Sequence, residues 1–390
     1  MKISGTRTKY PLKMTTLVLP LYAVSLLLPT LIIRENRIST EIPLNITALG
    51  IPFASLLFAP LFLMIIYAVW NNKFSEKHIP GLAAALGILL PLLVMAEYGS
   101  QAALKLGTFA RYSPSGGFYI SIIASLVIYL MKPKLEWSDY LGISIVIIIT
   151  ILMYSSGIFN RMGMVLEAKN LGPRLYNETI AHIRLTTISI GISVIIGIPI
   201  AFASYQSSRL KKMVFPILNV LQTIPGIALF GLLIAPLAAL SQAFPVLRSW
   251  GIKGIGNTPA IIALSMYALY PIIRYSFTAF SSIESSVILA AKGIGMSQKQ
   301  VWKLVRFPLS TPGVLHGVRV AMVQTIGNAT LAKLIGGDGL GVLVFEGLGQ
   351  ASVDMVLLGM LLIIALTLAS DRIFQIAIFF LTPKALRRGK

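Results

Sequence analysis

The chain has 390 residues, of which 56% are hydrophobic and 12% charged, with a mean hydropathy of +0.82. Soluble domains carry roughly 25% charged residues, so a soluble globular enzyme and a disordered chain are both excluded. The formal charge of +20 is no nucleic-acid footprint, because its lysines and arginines fall in short segments between apolar runs, as at the cytoplasmic face of a membrane protein. There is no cysteine, and His78, His182 and His316 lie far apart in sequence with no H-x-x-x-H pair, so no metal site is expected.

About 20 apolar residues cross a bilayer as a helix. In chain order the candidates are 14–33, 49–70, 79–98, 117–131, 140–159, 179–204, 214–240, 258–280, 312–335 and 354–381. The fold expected is therefore an all-α integral membrane protein of about ten transmembrane helices. The stretch 340–348 is apolar but too short to span, so it re-enters or lies at the interface. The first run is too long for a cleaved signal peptide, and no clean A-x-A site follows it. With the N-terminus inside, 19 of the 33 Lys and Arg fall in inner segments and 9 in outer ones. That bias predicts a multi-pass chain with both termini in the cytoplasm. Arg274, Arg319, Asp371 and Arg372 fall toward inner ends of spans, Arg184 and Lys333 toward outer ends, where each can snorkel. The lack of a carboxylate at mid-depth argues against a proton- or sodium-driven carrier, although backbone carbonyls also hold sodium.

The chain divides near 160–178, giving an extension of about five helices over 1–165 and a second part over 166–390. In the divider, Met162, Val165, Leu166, Leu175, Tyr176 and Ile180 recur at roughly helical spacing. They mark an amphipathic helix on the outer surface, or an ordinary connection.

The long inner loop, 281–311, is the most informative connection. Ser285 to Lys292 reads as a short helix that Gly293 and Gly295 break. Ser297 caps a second helix through Arg306, and Pro308 ends it. Two short helices about a glycine turn form a compact knob suited to docking in a groove of a cytoplasmic partner; the alternative is a solvated loop.

Leu289, Ala290, Ala291 and Gly295, followed after nine residues by Val305, Arg306, Phe307 and Pro308, resemble the loop signature of ATP-binding-cassette importer permeases. That signature runs E-A-A, three residues, G, nine residues, I-x-L-P. Leu289 stands where the family usually has Glu. Over roughly 176–381 the sequence is similar to permeases for osmoprotectants such as glycine betaine and choline, through Leu221-Gln222-Thr223-Ile224-Pro225-Gly226, 258–272, 326–332 and 335–341. The resemblance implies a C-terminal five-helix binding-protein-dependent permease core preceded by an extension found in one branch. It implies four kinds of contact: a cytoplasmic ATPase, a periplasmic or lipid-anchored binding protein, a second permease subunit of the same or another chain, and membrane lipid. ATPase coupling would fall to Ala290, Ala291, Gly293, Gly295, Lys299, Val305 and Pro308. The chain has no G-x-x-x-x-G-K-[ST] loop, so no catalytic residue or cofactor is assigned to it, and ATP and Mg²⁺ belong to the partner. Lys292, Lys299, Lys303 and Arg306 meet acidic groups of that ATPase or are ordinary inside-positive charges.

Candidate path residues are Gln222, Thr223 and Pro225 at a helix break, Tyr267 and Tyr270 three apart, and Gln324 and Asn328 four apart on one helix face. Polar groups at depth prefer a wet cavity or bundle interior, and aromatic rings attract a quaternary ammonium; the alternative is that they glue helices together. Besides osmoprotectants, the cargo alternatives are another small solute such as an amino acid, or an ion-coupled carrier.

Overall fold

The computed structural model describes residues 10–69, 73–132, 134–249 and 251–383. Trp70 at the end of the expected second span lies outside the described residues, as do the basic ends containing Lys2, Arg7, Lys9, Lys384, Arg387, Arg388 and Lys390. The chain forms two compact units, Met1–Asn170 and Leu171–Lys390; the division expected from sequence falls at 165/166.

The first unit runs α1 (Tyr10–Leu27), β1 (Leu31–Arg34), β2 (Ile42–Leu44), α2 (Ile51–Leu57), α3 (Ala59–Val69), α4 (Lys73–Leu106), β3 (Arg111–Pro114), α5 (Gly116–Met131), α6 (Trp137–Ser155) and α7 (Gly163–Leu171). The first apolar run is not one helix. Helix α1 stops at Leu27, because Pro29 bars its predecessor from helical angles. The β-branched run from Leu31 then becomes the central strand of a three-stranded antiparallel sheet, with Leu31 opposite Leu44 and Pro114. An all-α reading missed this sheet because its strands are only three or four residues long. The second run bends by 40° between α2 and α3, where Pro60 removes the backbone donor for the turn before it.

Buried charges close the ends of this unit. Asp139 accepts a hydrogen bond from Lys132 Nζ at 2.5 Å and from the Glu136 backbone at 2.8 Å, forming a capping box at the start of α6. Gly81 is required there, since a Cβ would lie 1.8 Å from Asp139 Oδ1. Among the elements of the sheet, Glu167 accepts from Arg37 Nε and Arg111 Nη1, each at 2.9 Å. Arg161 donates to the carbonyls of Gly107, Thr108 and Ala110.

The second unit runs α8 (Pro173–Gln206), α9 (Ser208–Thr223), α10 (Gly226–Ala243), α11 (Pro245–Ser249), α12 (Asn257–Ser281), α13 (Ser285–Gly293), α14 (Gln298–Gln300), a π-helical segment (Val301–Arg306), α15 (Phe307–Asn328), a 3₁₀ stretch (Ala329–Ile335), α16 (Gly341–Gly349) and α17 (Val353–Leu381). Helix α12 lies between α8 and α15, and α17 lies along α15 and α16. Small residues let the backbones approach: a Cβ on Gly317 would sit 2.7 Å from Tyr275 Cβ, and one on Gly313 2.6 Å from Ala279 Cβ. Ser193 Oγ donates to the Ser265 carbonyl at 2.9 Å, and Ser265 Oγ donates back to Ser189 at 3.2 Å.

Among the described residues six helices are long and apolar enough to cross a membrane, or seven if the bent α2–α3 pair is one span. The ten expected runs fall on these, on the shorter apolar stretches Met14–Leu27 and Gly116–Met131, and on α15. In the second unit two of them change shape. The run 214–240 breaks after Thr223 into α9 and α10, and the run 312–335 tightens to 3₁₀ after Asn328. The amphipathic reading of the divider corresponds to α7 and the first turns of α8.

Candidate functional site

The 281–311 loop folds as one short helix, a glycine turn and the start of a longer helix. Helix α13 ends in a Schellman turn: Met296 N donates to the Ala291 carbonyl at 3.2 Å, and Gly295 N to that of Lys292 at 2.9 Å. Gly295 holds φ +86°, a left-handed conformation that costs glycine least, with nothing within 4 Å of a Cβ placed there. Gly293 is the last helical residue, and only Gly295 makes the turn. Ser297 then caps the next helix, its Oγ accepting from Gln300 N while Gln300 Oε1 accepts from Ser297 N.

Pro308 does not end that helix. The chain continues through Val301–Arg306 into α15 without a break. The reason is local: a proline ring collides with the carbonyl four residues back, and the wider π-turn just before it makes room. Within the loop, Ala291 is buried and Val305 and Pro308 are half-buried, while Ala290, Gly293 and Lys299 are exposed. Leu289 and Ile294 are 67% and 76% exposed, an uncovered apolar surface on the knob.

Arg306 turns inward. Its guanidinium lies 4.8 Å from the Tyr205 ring centre and 5.0 Å from that of Trp302. It donates to the Tyr205 hydroxyl and, at 3.1 Å, to the Phe280 carbonyl. Trp302 stacks edgewise on Phe202, Tyr205 and Phe280, with centroids 4.6, 5.4 and 5.8 Å away. This joins the loop to the C-terminal ends of α8 and α12 beside an open cleft of about 1070 Å³. Lys292, Lys299 and Lys303 are exposed and pair with no carboxylate among the described residues.

The broken helices bring two predicted path residues together. Pro271 has no N–H, so the carbonyl of Tyr267, four residues earlier, lacks its helical partner. Gln222 Nε2 donates to it at 3.1 Å. In return Tyr267 Oη donates to the Ile224 carbonyl at 2.5 Å, beside Pro225 where α9 gives way to α10. Gln222 thus satisfies the Tyr267 carbonyl that Pro271 leaves open, and Tyr267 the Ile224 carbonyl at the end of α9. Thr223 Oγ1 folds back on the Val220 carbonyl at 2.7 Å. Tyr270 is half-buried one turn beyond Tyr267. Gln324 is exposed and Asn328 half-buried on one face of α15; among the described residues no hydrogen bond joins them to Gln222, Tyr267 or Tyr270.

Three features were not legible beforehand. The aromatic cluster had a weak signal in the three-residue spacing of Phe202 with Tyr205 and of Phe277 with Phe280. At the far end of the unit, Glu346 accepts from Arg174 at 2.8 Å and Lys333 at 3.0 Å. Partial burial raises its pKa, but these two cations outweigh that and hold it below the ordinary carboxylate value. Lys333 is therefore paired rather than left to snorkel, as is Arg319, which grips Asp371 with both nitrogens at 2.5 and 3.0 Å. No group of three metal-ligating side chains occurs among the described residues.

Residues 193–383 match the family described as binding-protein-dependent transport system inner membrane component. Residues 10–165 match the ABC transporter permease YehY, N-terminal domain. The osmoprotectant import permease protein OsmW of Salmonella typhimurium is 34% identical over 213 residues, 55% of this chain and 94% of OsmW. The chain belongs to this permease family. The choline transport system permease protein OpuBB of Bacillus subtilis is 30% identical over 56% of the permease and 94% of its own length. The glycine betaine/carnitine/choline permease OpuCB of the same organism is 30% identical over 59% of the permease and 98% of its own length. The permease is thus a multi-span inner-membrane component of a transporter whose ATPase is a separate subunit.

Proposed function

We propose that this permease carries glycine betaine or a related quaternary ammonium osmoprotectant into the cell, driven by a separate ATPase docked on the 281–311 loop. The observation that carries the coupling role is the helix–glycine turn–helix about Gly295, which leaves Leu289 and Ile294 uncovered on the knob. The cargo rests on the permeases to which the chain is similar, named for osmoprotectants and choline. A quaternary ammonium has no N–H to donate, so aromatic faces are its natural recognition surface. Tyr267, its hydroxyl engaged by Ile224, offers only a ring, and Tyr270 lies one turn away.

In this reading both termini are cytoplasmic. An external binding protein delivers the solute to a path formed with a second permease subunit. Thr223, Gln324 and Asn328 face that path, while Gln222, Tyr267 and Pro225 shape the break beside it. The chain binds no cofactor; ATP and Mg²⁺ act on the partner. Closure of the ATPase dimer shifts the knob, and the spans rock between two openings because ATP favours one of them. The test is purification from detergent-solubilised membranes followed by uptake in proteoliposomes. An ATPase and a binding protein should co-purify, with ATP-driven uptake of glycine betaine. Uptake of amino acids alone would change the cargo, and ion-driven uptake without an ATPase would overturn the reading.

A further inference from the structure

The coupling loop must move the spans, and few of its residues grip them. The knob itself is exposed along Leu289 and Ile294. The grip comes four residues apart in the π-helical segment, from Trp302 and Arg306, which project to one side. π-turns are rare and recur where helices serve a function. Arg306 meets three elements at once. Its guanidinium covers the ring of Trp302 in its own segment and the ring of Tyr205 at the end of α8. It also donates to Tyr205 Oη and to the carbonyl of Phe280 in the last turn of α12. That carbonyl is one of the four that a helix end leaves without a partner, and the helix dipole there favours a cation. The charge is held by aromatic faces and a carbonyl rather than by a carboxylate. Lys303 on the same segment and Lys299 in α14 stay exposed.

We infer that Arg306 is a positioning residue that transmits movement of the coupling loop to α8 and α12, and that it does not serve as a contact for the ATPase. A flat guanidinium lying over two rings set edge-on to each other and hydrogen-bonded at its edge resists displacement, which a flexible ammonium does less well. The joint therefore moves as one body with the loop, while Lys292, Lys299 and Lys303 remain free to meet a partner. This rests on the importer reading above.

The test uses the whole transporter in proteoliposomes, measuring ATP hydrolysis and glycine betaine uptake together. Arg306→Met keeps the apolar stem and removes the charge and donors. Uptake per ATP should fall by at least about fivefold, the lower end of ordinary coupling between sites, with ATPase co-purification unchanged. Arg306→Lys should recover part of the loss, since it keeps the charge but not the planar stack. A merely structural role would lower the yield of assembled transporter and leave uptake per ATP unchanged, which overturns the inference. So does loss of ATPase co-purification with an unchanged ratio in whatever complex remains. If Arg306→Met fails to assemble, Tyr205→Phe decides: it keeps the ring and removes the hydroxyl, and an unchanged ratio there also overturns it. Absence of ATP-driven uptake in the unsubstituted transporter would overturn the importer reading itself; uptake there with unchanged ratios in the variants overturns this inference alone.

Discussion

Both units bury neutral polar groups, but they differ in how they hold their ion pairs. In the first, alongside neutral bonds such as that of Tyr22 with Ser125, charges are buried in pairs at helix ends and beside the sheet: Lys132 with Asp139, Arg111 with Glu167. In the second, Gln222 and Tyr267 meet backbone carbonyls at helix breaks, and serines meet carbonyls between α8 and α12. Its ion pairs, Arg174–Glu346 and Arg319–Asp371, are partly exposed. Breaking a buried charge pair costs about 3–5 kcal/mol. A neutral hydrogen bond contributes only about 0.5–1.5 kcal/mol net. The first unit is thus fastened, and the second is built of contacts that can part and re-form, as alternating access demands.

The contrast breaks most readily at Lys132. Lys132→Met leaves the Asp139 carboxylate buried and unpaired, so stability should fall by about 3–5 kcal/mol, read from denaturant unfolding of the detergent-solubilised protein. An unfolding midpoint like that of the unsubstituted protein would mean the pair fastens nothing. A smaller effect is expected at the clasp. Tyr267→Phe strands the Ile224 carbonyl and Gln222→Leu that of Tyr267, each costing about 1–3 kcal/mol by the same measurement. Losses as large as that of Lys132→Met would erase the distinction between the units. The smallest effect should come from Glu346. Its folded pKa is depressed, so its stabilising contribution is full above the unfolded value, near 4.5, and is lost as pH falls through the lower folded value. Melting curves of Glu346→Gln and the unsubstituted protein should therefore differ at neutral pH and converge in strong acid. Convergence already at pH 6 would sink the pairing.

Sequence reading located the loop well because its signals are local. Ser297 and Gln300 form a capping box three residues apart, and Gly295 stands where a Schellman turn requires it. It failed at Pro308 because a proline is ordinarily a stop, and nothing local tells that a π-turn absorbs it. It merged Leu31–Ile33 into the first span because an apolar run too short to show a period fits either a strand or a helix. It placed Gln222 at the break and Tyr267 in the eighth span by residue type, without the contact between them. It left Arg306 as one positive charge among several, because the Tyr205 side chain and the Phe280 carbonyl that hold it come from α8 and α12, up to 101 residues away in sequence.

What the sequence alone determined is what composition, period and spacing carry: an apolar helical chain in a membrane, its division into two parts, and a loop with a helix, a glycine turn and a capped second helix start, bearing the mark of importer permeases. Only the tertiary structure decided which side chain meets which, such as the sheet about β1, the Gln222–Tyr267 exchange and the inward turn of Arg306. The physical reason is range. Helix formation and capping are settled within four residues, whereas a buried donor finds its acceptor only when distant helices have packed.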